Sequence, residues 1–405
     1  MLCNDNVWKK LKISDCAEVV CGGTPSTSKS EYWDGNISWI TPKDLSNYNS
    51  VYISKGNRNI SELGLNNSSA KLLPKNTILL TTRAPIGYIA IAKNELSTNQ
   101  GFKSLIMKNG NIPEFFYYLL KNNIEIIKNL GNGTTFMEVN SASLKNLELP
   151  IPPLEEQKKI ASILSSLDDK IELNNRMNKI LEETAQTIFK EWFINFNFPN
   201  EEGKPYKKSG GKMIESELGE IPGGWEVTSL ENILKVIKGK KTKETHIKKT
   251  DLLNSQYLTI DCYNNSNIEY TEYVEKMYVD KLDIIMVMDG ASSGKLFYGK
   301  NGILSSTMAK FYVENKNINE IVFFFLKKIE NEIMYHTTGS AIPHANKQFI
   351  LNKKIALPPK QLLNLTNYIK TIREKIISNV EENQKLTGIR DSILPKLMSG
   401  EIRIK

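Results

Sequence analysis

Histidine and cysteine are scarce in this chain, three and four among 405 residues. His246, His336 and His344 show no metal-ligand spacing, and Cys3, Cys16, Cys21 and Cys262 form no CxxC pair. No metal ligand is therefore assigned, and the four thiols read as the reduced cysteines of a cytoplasmic protein. Long apolar runs are missing too. Segments such as 321–326 (IVFFFL) are too short to span a bilayer, and the opening MLCNDNVWKKLK has no apolar signal region. There is no P-loop and no glycine-rich dinucleotide fingerprint. There is also no [DN]PP[FYW] tetrapeptide of the kind amino-methyltransferases use to hold a base. Asp168-Asp169-Lys170 lies within a predicted helix and reads as a solvated charged face. No catalytic residue is assigned, and the expectation is a protein without an active site of its own.

What the chain does contain, it contains twice. One apolar heptad seam runs Ile160, Leu164, Leu167, Ile171, Asn174, Asn178, Leu181, Ala185, Ile188, Trp192. A second runs Leu365, Ile369, Ile372, Ile376, Asn379, Asn383, Leu386, Arg390, Ile393, Leu397. Both step by four and three throughout, and both place two asparagines at the same points. Polar residues at seam positions cost stability but fix register and strand number. The repeat extends beyond the helices at an offset of about 206 residues, the difference between Gly133 and Gly339 and between Asn140 and Asn346. Pro152-Pro153 falls over Pro358-Pro359, TILLTT (77–82) over DIIMVM (283–288), and Gly87 near Gly294. A duplicated long helix implies internal two-fold character. If the two helices pair about that axis they run antiparallel, with Asn174 opposite Asn383 and Asn178 opposite Asn379.

The organisation follows. Residues 1–152 read as a first mixed domain, with strands at 37–41, 77–82 and 86–92 and a helix at 113–128. Residues 153–198 form a long helix after the prolines of IPPLEEQ. Residues 199–224, rich in Gly, Pro, Lys and Ser, read as a linker. Residues 225–358 repeat the mixed domain, and 359–405 repeat the helix and add a tail. The fold class is α+β or α/β: two similar domains joined and spaced by two long helices that form an antiparallel coiled coil.

The net charge of +8 permits a polyanionic partner without requiring one; the Lys, Asn and Ile excess also follows from an AT-rich coding genome. Residues 235–249 hold seven lysines against one acid, Glu244. Such a loop either neutralises phosphates or is a solvated surface loop. Its counterpart is GGTPSTSKS (22–30), whose hydroxyls suit phosphate oxygens or base edges. Arg83 follows one buried-type strand as Asp289 follows the other. An arginine reads guanine and a carboxylate accepts from cytosine N4, but a surface ion pair explains such residues equally well. The candidate DNA contacts in the first copy are Thr24, Ser26, Thr27, Lys43, Arg83, Asn99, Gln100, Thr134 and Thr135. In the second they are Lys240, Lys241, Lys243, Asp289, Ser292, Ser293, Lys295, His344 and Lys347.

The chain resembles the specificity subunit of type I restriction–modification systems. The resemblance rests on GGTPS, YWDGNISWITPKDL (32–45), RAPIG (83–87), STNQG (97–101) and LPIPPLEEQKKIASILSSLDDKI (149–171). SELGEIPGGWEV (216–227) and LPKLMSGEIRI (394–404) complete it. The second copy departs from the pattern: GKKTK replaces a GxTP-type loop, Thr307-Met308 stands where Asn99-Gln100 stands, and PPKQ replaces PPLEEQ. The resemblance implies two target-recognition domains, each reading half of a bipartite site on double-stranded DNA. It implies two methyltransferase subunits held by the long helices, joined by endonuclease–translocase subunits. It also implies no cofactor in this chain; the complex would use S-adenosylmethionine in the methyltransferase, and ATP and magnesium in the endonuclease. A duplicated enzyme, such as a fused nuclease–recognition protein, or a purely structural coiled-coil adaptor is the alternative. The first seam corresponds to roughly 48 Å of helix at about 1.5 Å per residue. With a domain at each end, that length suits half-sites about one duplex turn apart, 34–36 Å.

Overall fold

The computed structural model describes residues 7–131, 137–264, 266–339 and 341–404. The chain divides into two compact units, residues 1–176 with 380–405, and residues 177–379. The sequence places boundaries at the ends of the long helices; by contacts the division falls inside both of them.

In the first unit a five-stranded sheet takes the order Ala17–Cys21, Phe102–Met107, Ile78–Thr82, Ile86–Ala92, Tyr52–Ile53. Its first four strands are antiparallel neighbours and the last is parallel. Ile78–Thr82 is buried along its whole length. Because side chains alternate across a sheet, Ile78 and Leu80 enter one core and Leu79 enters another. That is why this strand reads as a continuous apolar run rather than an alternating one. A smaller sheet orders Arg58–Ile60, Trp33–Ile40, Ser97–Thr98, the last pair parallel.

The second unit repeats this plan. Its main sheet runs Leu234–Lys238, Met308–Val313, Ile284–Val287, Leu296–Tyr298. Ile284 and Met286 face one core, Ile285 and Val287 the other. In its second sheet Ser255–Leu258 runs parallel to Gly302–Leu304, as Trp33–Ile40 does to Ser97–Thr98. The helix predicted over 113–128 is two helices, Pro113–Asn122 and Ile124–Asn129, broken at Asn123 (φ −104°, ψ 20°). The counterpart breaks at Ile329 (φ −98°, ψ 11°), between Asn319–Lys328 and Glu330–Tyr335.

One reading needs correction. Residues 199–224 are not an open linker. Met213–Ser216 and Gly219–Pro222 form an antiparallel hairpin, and Phe198 and Ile221 are buried in the second unit's core beside Trp225. The Phe198 ring stacks on Tyr206 at 4.7 Å. Gly, Pro and Lys dominate the composition here, but this small apolar set anchors the segment.

The long helices are Leu154–Phe189, continued by a π-helical turn Lys190–Ile194, and Thr366–Ser399. None of the twenty seam positions is exposed. In the first unit Asn174 Nδ2 donates to Asn383 Oδ1 at 2.9 Å and to Glu382 Oε2 at 2.8 Å. In the second, Asn379 Nδ2 donates to Asn178 Oδ1 at 2.8 Å. Residue numbers rise along one helix as they fall along the other: Asp168 meets Arg390, then Asn174 meets Asn383. The two segments within the first unit are therefore antiparallel. Asn174 and Asn379 are almost wholly buried, and these bonds offset part of the cost of burying an amide.

Each unit secures its long-helix segments with a buried ion pair between helices. Asp168, expected on a solvated face, is instead 9% exposed. It accepts from Tyr118 Oη at 2.6 Å and pairs with Arg390. Burial, followed by the neighbouring Asp168 charge, pushes the Tyr118 hydroxyl far above its ordinary range. In the second unit Arg373, 1% exposed, donates to Glu320 Oε1 at 2.9 Å and lies 3.5 Å from the Tyr298 ring centroid.

Candidate nucleic-acid interface

The glycines at 22 and 23 let the chain lie flat against its neighbours. A Cβ on Gly22 would sit 1.9 Å from the carbonyl oxygen of Asn99, and one on Gly23 would sit 2.2 Å from the Ala70 nitrogen. Two indoles then pin the turn: Trp39 Nε1 donates to the Gly23 carbonyl at 2.9 Å and Trp33 Nε1 to the Ser26 carbonyl at 3.1 Å. With its backbone fixed from inside, the loop leaves Ser26 and Thr27 exposed. Thr24 Oγ1 donates to Gln100 Oε1, so two candidate residues distant in sequence meet at the loop's base. Asn99 Oδ1 is engaged by the Gly101 amide at 2.9 Å. Lys43 and Gln100 are exposed.

The second unit keeps the glycine and changes the rest. A Cβ on Gly239 would sit 2.2 Å from the carbonyl oxygen of Ser305, and its amide donates to the Met308 carbonyl as Gly22 donates to Phe102. This corrects the alignment of the second copy: Ser305-Ser306, not Thr307-Met308, occupies the place of Asn99-Gln100. Lys240, Lys241 and Lys243 follow Gly239 and are all exposed. Replacing these three with alanine is expected to weaken non-specific duplex binding and to flatten log K against log salt by up to about 2.7, at about 0.9 per lost phosphate contact. Titration of the intact chain with duplex at several salt concentrations checks this; an unchanged slope assigns the loop to solvent.

Beside each loop a carboxylate sits between two basic groups. In the first unit Arg83 and Glu138 form an isolated antiparallel bridge. Glu138 Oε1 lies 3.1 Å from Lys103 Nζ and Glu138 Oε2 lies 4.0 Å from Arg83. In the second unit Asp289 and His344 form the same isolated bridge. Asp289 Oδ1 lies 2.7 Å from His344 Nδ1 and Oδ2 lies 2.9 Å from Lys238 Nζ. Burial acts to raise the Asp289 carboxyl, but hydrogen bonds from Lys238 and His344 outweigh it and hold the group below the usual range. Glu138, Lys103 and Lys238 are missing from the sequence-derived set. The signal was available, because Glu138 stands to His344 as Arg83 stands to Asp289 in the repeat.

Ser293 requires correction. It is 2% exposed, and its hydroxyl lies 2.6 Å from the Gly290 carbonyl and 2.8 Å from the Pro343 carbonyl, so it braces a turn and is closed to a duplex. Ser292 and Lys295 are half-buried, with the Lys295 ammonium 5.3 Å from the Phe297 ring. Lys347 is exposed in the first turn of Lys347–Leu351. Thr134 and Thr135 lie outside the described residues. Among the described residues no group of three His, Cys, Asp or Glu is placed to hold a metal, and no helix is long and apolar enough to cross a membrane.

Comparison with known proteins gives a consistent result. A family model described as the type I restriction modification DNA specificity domain matches residues 6–183 and again 222–382. The MjaIX type I restriction enzyme specificity subunit of Methanocaldococcus jannaschii is 39% identical over 98% of this chain and 94% of its own length. The HindI specificity subunit of Haemophilus influenzae is 27% identical over 74% of this chain and 80% of its own. The crystal structure of a type I restriction–modification S subunit from M. genitalium superposes with a TM-score of 0.65 at 20% identity, covering 98% of both chains.

Proposed function

Because this chain belongs to the type I restriction modification DNA specificity family, and so is a DNA-sequence-recognition subunit, we propose that it reads a bipartite, asymmetric duplex site and scaffolds two methyltransferase subunits. The observation that carries this reading is the repeated plan with unlike loops. Both units set their loop on a glycine packed against the same strand end, yet one loop is GGTPSTSKS and the other KGKKTKETH. An identical mount with different side chains suits two different half-sites on one chain.

The long helices serve this role as a coiled-coil spacer, the register set by the seam asparagines. Their outward positions, Ile163, Leu173 and Ile180 on one helix and Ile389 on the other, are exposed apolar residues available to partner subunits. Methyl transfer would belong to those partners, with S-adenosylmethionine, and cleavage to an endonuclease using ATP and magnesium. The chain's own contribution is to bind, orient and space.

The test compares the chain alone with the chain co-purified with its methyltransferase. Alone, it binds duplex weakly, with steep salt dependence and little sequence preference, because phosphate contacts dominate. With the methyltransferase, a randomised duplex pool is enriched for a split site. A chain that hydrolyses a substrate unaided and binds no duplex in either form overturns the reading.

A further inference from the structure

The paired bridges carry an inference that rests on the reading above and goes beyond it. They occupy equivalent places, each joining the end of a main-sheet strand to the segment before a short helix, Ser141–Lys145 or Lys347–Leu351. Their polarity is inverted. In the first unit the basic group, Arg83, follows the strand and the carboxylate, Glu138, answers it. In the second the carboxylate, Asp289, follows the strand and the basic group, His344, answers it.

The geometry decides which member of each bridge is open to a ligand. Glu138 has its closer partner in Lys103, at 3.1 Å against 4.0 Å for Arg83, and the Arg83 side chain is 45% exposed. Arg83 is thus loosely held and has donors to spare. Asp289 is the reverse case: both oxygens are engaged and its side chain is 20% exposed. The exposed member there is His344, at 50%. An ionised carboxylate only accepts, so the hydrogen shared with Asp289 sits on Nδ1. Nε2 has no hydrogen-bond partner among the described residues, and in the neutral imidazole it is an acceptor.

We propose that Arg83 and His344 are the corresponding base-reading residues of the two units: Arg83 donates to the acceptor edge of a guanine, and His344, oriented by Asp289, accepts from the exocyclic amino group of an adenine or cytosine. The carboxylate anticipated at position 289 as a reader is a positioning residue. In the major groove guanine presents O6 and N7 as acceptors, whereas adenine N6 and cytosine N4 present donors. The inverted bridges therefore ask opposite questions of the duplex, and this sets the asymmetry of the site.

The experiment uses the full chain co-purified with its methyltransferase and a duplex pool randomised across the site. His344→Ala should lower the preference for an amino-bearing base about 10-fold at one position in one half-site. His344→Arg should shift that position toward guanine. Asp289→Asn should relax the same position, whereas a merely structural role would change thermal stability without moving the preference. Arg83→Ala should relax a guanine in the other half-site. In each variant the untouched half-site reports that the protein is folded. Unchanged base preferences in all four variants, with the split site still selected, overturn this inference and leave the recognition function standing. Loss of any split site in the unmodified complex overturns both.

Discussion

Exchanging residues 1–152 for the corresponding segment of another family member is expected to replace one half-site and leave the other intact. The first unit's sheets and loops lie within that segment, and its cores are built around them. The exchange keeps the long helices that carry the asparagine register, but the new segment must still seat on them. Ile160, Leu164, Leu394 and Leu397 enter the same core as Phe116 and Leu120, and Tyr118 reaches Asp168. A donor with a tyrosine at the position of Tyr118 and apolar residues at 116 and 120 is therefore the one to choose. The measurement is the selected sequence of a randomised duplex pool before and after exchange. A change in both half-sites contradicts independent reading units.

Truncating Arg373 to alanine is expected to cost about 3–5 kcal/mol of stability, more than the loss of any exposed ion pair in the chain. The change strands the Glu320 carboxylate, 4% exposed, without its counter-charge. It also removes the guanidinium from the Tyr298 face and from the carbonyls of Lys281 and Asp283. The pair Arg373→Met with Glu320→Gln should recover much of the loss, because no unpaired charge then remains buried. Urea unfolding of the intact chain, followed by tryptophan fluorescence, reads the effect through Trp225 in the same unit's core. A shift below about 1 kcal/mol would place the pair with ordinary surface bridges.

The long helices and the repeat were legible in the sequence because both are periodic. A heptad with two matched asparagines states its own partner: the two-fold that aligns the copies puts Asn174 against Asn383 and Asn178 against Asn379, where the structure bonds them. Non-local partners were not legible. Asp168 sits in a run of charges and looked solvated, but Tyr118 and Arg390, far away in sequence, enclose it. Ser293 looked like a loop hydroxyl, but its acceptors are backbone carbonyls, which carry no residue-type signal. Composition misled at 199–224, where Ile221, with Phe198 just before the segment, counts for more than the glycines and lysines around it. A lone glutamate forms no local pattern, so Glu138 is legible only through the 206-residue offset that sets it against His344, and the bridge to Arg83 confirms that pairing. Asp289 and His344 both stand among the candidate contacts, and only the geometry shows that His344 is the more exposed of the two.

The most direct test is to map the methylated bases in DNA modified by the complete complex. Two unlike readers on one duplicated chain predict a split site of two different short sequences, separated by a spacer of any sequence and fixed length, with centres about one duplex turn apart. A continuous palindromic site, or two identical half-sites, would contradict it.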